Sequence, residues 1–136
     1  MDRQPETETL RRYYEALNAK DFAALSEAFD PEIEWREPSE SPEGARWHGR
    51  DAVVEHFREG VGKWAEGTCV SEGFVEAGDR IVSLEKVDVR LEGREDWVRG
   101  RLAVVFVVRD EGIAQGRIFW ERADAFRWVG LEPPSG

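Results

Sequence analysis

Leu10, Tyr13, Tyr14 and Leu17 recur at the i, i+3, i+4, i+7 spacing of one helical face, which predicts a first helix from about Pro5 to Ala19. Asp21 is placed to cap a second, shorter helix carrying Phe22, Leu25 and Phe29, which Asp30-Pro31 ends. From Glu32 to Glu37 the period changes to two. Ile33, Trp35 and Glu37 fall on one face of a strand, and Glu32, Glu34 and Arg36 on the other. A loop rich in Pro, Ser and Gly runs to Gly49, after which Val53, Val54, Phe57, Val61 and Trp64 form the apolar stripe of a third helix.

The rest of the chain reads as strands, at about Thr68–Ala77, Arg80–Leu91, Asp96–Arg109 and Ile113–Arg122. They are separated by the turn signals Gly78-Asp79, Glu92-Gly93 and Asp110-Glu111-Gly112, and connections this short predict antiparallel neighbours. A last helical turn, Ala123 to Val129, is expected to stop at Gly130 ahead of Pro133-Pro134. Three helices followed by a long antiparallel sheet describe an α+β fold with helices covering one face of the sheet.

The 136 residues suit a single domain, 1–136, with 40% apolar residues, six Trp and seven Phe to fill a core and line a cavity. A formal charge of −10 excludes nucleic acid and anionic membrane as main partners, because both would be repelled. It says nothing about a neutral ligand. Cys69, the one cysteine, cannot form an internal disulfide and reads as a small buried thiol. The start "MDRQPETETL" has no apolar run to serve as a signal peptide, and the longest apolar run, Leu102 to Val108, is too short to span a bilayer, so a soluble cytoplasmic protein is expected. His48 and His56 are eight residues apart with no His/Cys cluster around them, and no glycine-rich phosphate loop appears. Neither a metal nor any other cofactor is predicted.

The element order, together with "RRYYEALNAKDFAALSEAFDPEIEW", "HGRDAVVEHF" and "VFVVRDEGIAQGRIFWERADAF", resembles the NTF2-like superfamily, specifically its SnoaL-like, ketosteroid-isomerase-like and limonene-epoxide-hydrolase-like members, over roughly Leu10 to Leu131. The resemblance implies a cystatin-like cone, in which three helices pack on a strongly curved, mostly antiparallel sheet enclosing a deep apolar pocket, commonly in a homodimer. Its walls would include Trp35, Val104, Phe106, Ile118 and Trp120. The partner implied is a small apolar molecule, but a fold does not transfer a reaction.

Glu37, followed by Pro38, stands where ketosteroid isomerase has its general-base carboxylate, and Tyr13 where that enzyme has the tyrosine of its oxyanion hole. The chemistry implied is proton removal next to a carbonyl by Glu37 while Tyr13 hydrogen-bonds the enolate oxygen. Burial beside Trp35 is expected to raise the Glu37 pKa. The isomerase adds a protonated acid from a strand that here reads "RLAVVFVV", where Val104 and Val105 are apolar. Losing that donor costs about 2.7–4 kcal/mol of transition-state stabilisation. "EKVDV" resembles the Arg-x-Asp strand of limonene epoxide hydrolase, with Lys86 and Asp88 expected to face the pocket as a charge partner and an acid. There the second carboxylate position carries Ile118, and the water-holding positions carry Trp35 and Glu37.

Each candidate has a plainer structural reading: Tyr13 as a core ring, Glu37 as a solvated strand end, Lys86 and Asp88 as a salt bridge. The expectation is therefore a cofactor-independent acid-base enzyme of isomerase, cyclase or lyase type acting on a small apolar carbonyl compound. The alternatives are an epoxide hydrolase and an apolar-ligand-binding or dimerisation domain without catalysis. The loop "EPSESPEG", Glu37 to Gly44, reads as a lip of the pocket.

Overall fold

The computed structural model describes residues 4–39, 44–110 and 112–134, so residues 40–43 of the expected lip and the middle of the 110–112 turn lie outside the described residues. Helix α1 spans Gln4–Ala19 and buries Leu10, Tyr13, Tyr14 and Leu17, the face its spacing predicts. Helix α2, Phe22–Ala28, begins where the Asp21 carboxylate accepts from the Ala24 amide at 3.0 Å. Phe29 already has an extended backbone, one residue before Asp30, which Pro31 holds out of the helical region. It therefore opens strand β1, Phe29–Glu37, instead of closing α2.

Strand β2, Ala45–His48, lies inside the stretch expected to be loop and pairs antiparallel with the end of β1. Helix α3 is Arg50–Val61, and Trp64 opens strand β3, Trp64–Ala77, instead of extending the helical stripe. Strands β4, Arg80–Leu91, β5, Trp97–Arg109, and β6, Gly112–Phe119, follow. Helix α4, Arg122–Trp128, ends ahead of Gly130, whose φ of 86° lies in the left-handed region open to glycine.

The six strands form one curved sheet in the order β2-β1-β6-β5-β4-β3. Short turns join β3 to β6 into an antiparallel meander, while β1, which comes from the helical half of the chain, pairs parallel to β6. Register slips between Ser71 and Phe74 and between Val107 and Val108 mark irregularities of the kind that bend strands.

The two faces of the sheet have different covers. Helices α1, α2 and α3 pack on the inner face, where Ile33, Trp35, Ile81, Val104, Phe106 and Ile113 meet Leu10, Leu25, Val53 and Phe57. Each such aliphatic side chain taken from water contributes about 1.5–3 kcal/mol. Helix α4 packs on the opposite face, placing Ala125 with Val82, Ala103 and Val105. Helices therefore cover both faces, and among the described residues there are four of them, because the expected last turn is a helix with a core of its own.

Candidate functional site

Alternation along β1 sends Ile33, Trp35 and Glu37 to the inner face, and the strand ends with the glutamate at the rim of the sheet. Trp35 is 1% exposed, lying over Gly116 of β6, where a Cβ would overlap its ring. Glycine is needed there for the close approach. The tryptophan is thereby held with its indole Nε1 donating to Oε2 of Glu37 at 2.9 Å.

The same oxygen lies 2.6 Å from Nε2 of His56 on α3, and the His56 ring stacks on Trp47 of β2 with centroids 3.7 Å apart. Glu37 and His56 keep 24% and 23% of their side-chain surface exposed. Beside them is an open hollow of about 540 Å³ lined by Glu37, Pro38, Arg117, Ile118, Phe119 and Trp120, among others. Among the described residues Oε2 takes both donors, which leaves Oε1 to a ligand.

Burial pushes the Glu37 carboxyl up, but the hydrogen bonds from His56 and Trp35 and the His56 charge outweigh it, so the pKa lies below the ordinary glutamate value. The expected upward shift is thus reversed. Burial beside Trp35 does occur, but the indole contributes a donor as well as an apolar wall.

Tyr13 is 2% exposed and packed among rings, with centroids 4.9 Å from Tyr14, 5.5 Å from Phe106, 6.0 Å from Phe57 and 6.4 Å from Trp35. Burial raises its pKa well above the ordinary value, and the charges of Glu85, Cys69 and Glu37 add to this. The phenol therefore stays protonated in the field of two carboxylates. Val104 and Phe106, expected as walls, are 1% and 0% exposed and face this ring cluster. Of the other wall residues, Ile118 and Trp120 line the open hollow, and Trp120 is 58% exposed just beyond the end of β6.

On the other side of the rings lies a polar cluster the sequence reading missed. Glu85 of β4 is 5% exposed, with Oε2 2.6 Å from the Tyr14 hydroxyl and Oε1 3.4 Å from Sγ of Cys69. The Tyr14 hydroxyl is also 2.6 Å from Oγ of Ser83, which reaches Ser71 Oγ at 2.9 Å, and Ser71 donates to the Gly73 carbonyl at 3.1 Å. Tyr14 donates to Glu85, Ser83 to Ser71 and Ser71 to Gly73, so these buried hydroxyls form one connected network that ends on the carboxyl. Burial likewise raises the Glu85 pKa, against hydrogen bonds from Tyr14 and Cys69 and the charge of Arg122.

A profile of the SnoaL-like domain matches residues 10–116. The chain belongs to the SnoaL-like domain family. Solved structures place this SnoaL-like chain among NTF2-like folds. An NTF2-like protein of unknown function from Burkholderia pseudomallei is 24% identical, with a TM-score of 0.74 over 94% of this chain and 99% of the other. A Catenulispora acidiphila protein with a ketosteroid-isomerase-like fold, in complex with trimethylamine, is 15% identical, with a TM-score of 0.72 over 91% and 93%. A Mycobacterium tuberculosis protein in complex with estradiol-17beta-hemisuccinate is 16% identical, with a TM-score of 0.74 over 86% and 94%. At these identities the likeness is one of fold. No curated protein matches.

Within this SnoaL-like fold, Lys86 and Asp88 do not join Glu37. They alternate with Glu85, whose side chain is turned inward, and so they project from the outer face. Asp88 accepts from Arg99 Nε at 2.9 Å across β4 and β5, and Lys86 is exposed. The expected inward-facing pair is corrected on both counts: direction and partner. His56 was also missed, although it stands three residues after Val53, at the edge of the apolar stripe of α3. Among the described residues no three His, Cys, Asp or Glu side chains group as a metal site, and no helix is long and apolar enough to cross a membrane.

Chemically, the rim offers an ionised carboxylate with one oxygen that takes no donor among the described residues, an imidazole on its other oxygen, and a hollow whose walls mix Pro38, Ile118, Phe119 and Trp120 with Arg36, Arg117, Glu121 and Asp124. That set can accept a proton from a bound molecule or hold a donor group of a ligand.

Proposed function

We propose that this SnoaL-like protein binds a small, largely apolar molecule in the hollow at the Glu37 rim and removes a proton next to a carbonyl group, as an isomerase, cyclase or lyase without a cofactor would. The observation that carries this reading is the convergence of Trp35 and His56 on a single oxygen of Glu37, beside an open hollow. This fixes the carboxylate and leaves Oε1 as the base. His56 is a positioning residue whose hydrogen bond to Oε2 stabilises the carboxylate charge. Ile118, Phe119 and Trp120 supply the apolar contact.

The lowered Glu37 pKa keeps the base ionised but makes it weaker, since an efficient general base titrates near the working pH. That observation favours a second reading, in which the same hollow holds a ligand without transforming it. Epoxide hydrolysis is the less supported alternative, because its candidate acid, Asp88, is engaged by Arg99 on the outer face.

Turnover of a panel of enolisable ketones, with tryptophan quenching to follow binding, separates these readings. Glu37→Gln is expected to lower kcat by about 10²–10⁴-fold with little change in ligand affinity. His56→Ala is expected to move the acid limb of the pH–rate profile to higher pH, because Glu37 loses a donor. Quenching without product in the unmodified protein would establish the binding reading, and turnover indifferent to Glu37→Gln would remove Glu37 as the base.

A further inference from the structure

The outer face of the sheet carries a group of arginines that the Glu37 carboxylate does not contact among the described residues. Arg36 of β1 and Arg117 of β6 are cross-strand neighbours, and Arg117 pairs in turn with Val105 on the α4 side of the sheet. Arg80, the first residue of β4, approaches the same place. The guanidinium groups of Arg80 and Arg117 lie 4.2 Å and 4.8 Å from the centroid of the Trp128 ring, at the end of α4. Between them is a hollow of about 270 Å³ whose charged lining is Arg36, Arg80, Arg117 and Glu34, over a floor that includes Val105 and Gly116.

Three guanidiniums thus face one carboxylate, and Glu34 engages only Arg36, at 3.8 Å. Among the described residues Arg80 and Arg117 form no ion pair, in a chain with 29 acidic and 19 basic residues. Burial and the charge of Arg36 both push the Arg117 pKa down, as expected of cations drawn together without a counter-ion. The Trp128 ring offsets part of that repulsion but offers no acceptor atom.

We infer that the hollow bounded by Arg36, Arg80, Arg117 and Trp128 is a binding site for a small oxyanion, a phosphate or carboxylate group carried by a small molecule. Planar guanidinium forks match the paired oxygens of such groups. The hollow's volume suits one such group, and the neutral floor leaves the arginines to dominate its field. The site is separate from the Glu37 base, although Arg36 and Arg117 line both hollows.

The test uses the full chain with pyrophosphate and inorganic phosphate as probes, at constant ionic strength held with sodium chloride. Binding is measured by calorimetry, and the thermal midpoint is followed alongside it. Saturable binding and a rise in Tm are expected for the unmodified protein. Arg80→Gln and Arg117→Gln should each weaken binding by at least about tenfold, the usual scale for a lost charged hydrogen bond. General salting-out would raise Tm equally in the variants, and that equality would overturn the proposal. It would also be overturned if the variants lost self-association in ultracentrifugation while responding to phosphate like the parent, since the arginines would then serve a second copy of the chain.

Discussion

Glu37 and Glu85 are two partly or fully buried carboxylates on the inner side of one sheet, and their environments push them in opposite directions. Glu37 retains some exposure and receives an indole N–H and an imidazole on one oxygen, and its pKa falls. Glu85 is almost wholly buried among hydroxyls and a thiol, and its pKa rises. Burial alone would have raised both. The outcome depends on whether the donors and nearby charge are strong enough to repay the desolvation of the charged form. Tyr13 stands between them, its ionisation opposed by both carboxylates. The molecule thus holds a carboxyl with a lowered pKa at an open rim and one with a raised pKa in its interior, and only the first is placed to meet a ligand.

The largest break in this contrast comes from Trp35→Ala. Loss of a fully buried tryptophan that packs on Phe57, Tyr13 and Phe106 should cost about 3–5 kcal/mol, read from urea melts. The same variant removes the indole donor, so the Glu37 pKa, followed by carboxyl NMR, should climb while Glu85 keeps its environment. If Glu37 stayed unchanged, its ionisation would depend on His56 alone.

Tyr14→Phe acts on the other carboxyl and should cost about 1–3 kcal/mol, because Glu85 and Ser83 lose a buried partner. The Tyr14 hydrogen bond opposes the upward shift, so its loss should raise the Glu85 pKa further. A fall would mean that Tyr14 holds Glu85 neutral.

The contrast between these sites shows what could be read along the chain. Strand β4 was legible to its ends, Arg80–Leu91, because a turn signal bounds it on either side. Its inner face was not. Ile81, Ser83, Glu85 and Val87 point inward, but Val82 and Leu84 are apolar too, since α4 covers the outer face at that end of the strand. With apolar residues on both faces the alternation has no unique phase, and Lys86 and Asp88 were assigned the wrong side. Strand β2 was hidden for another reason. Four residues of an edge strand, exposed at every second position, carry almost no periodic signal inside a Pro- and Gly-rich stretch. The inward direction of Glu37 and Trp35 was legible because β1 packs one face on the core and leaves the other part-exposed, while the contact with His56 exists only once α3 lies across the strand.

The smallest effect, and the most direct test of the contrast, is the dependence of stability on pH. The folded pKa of Glu37 lies below the ordinary glutamate value of 4.5, so between the two values the unfolded chain binds more protons. Its contribution is complete above 4.5 and is lost as pH falls through the folded value. Glu85 has a folded pKa above 4.5, so the folded chain keeps the extra proton. Its contribution is complete below 4.5 and is lost as pH rises through the raised value. Glu37→Gln should therefore fall further behind the parent as pH rises through the acid window and then run parallel to it. Glu85→Gln should gain on the parent as pH rises above 4.5, with either slope bounded at about 1.4 kcal/mol per pH unit. Urea melts across this range give both curves. Divergence of the two variants in opposite senses follows from a raised carboxyl pKa inside and a lowered one at the rim, whereas parallel curves would mean that the two pKa values do not lie on opposite sides of the ordinary one.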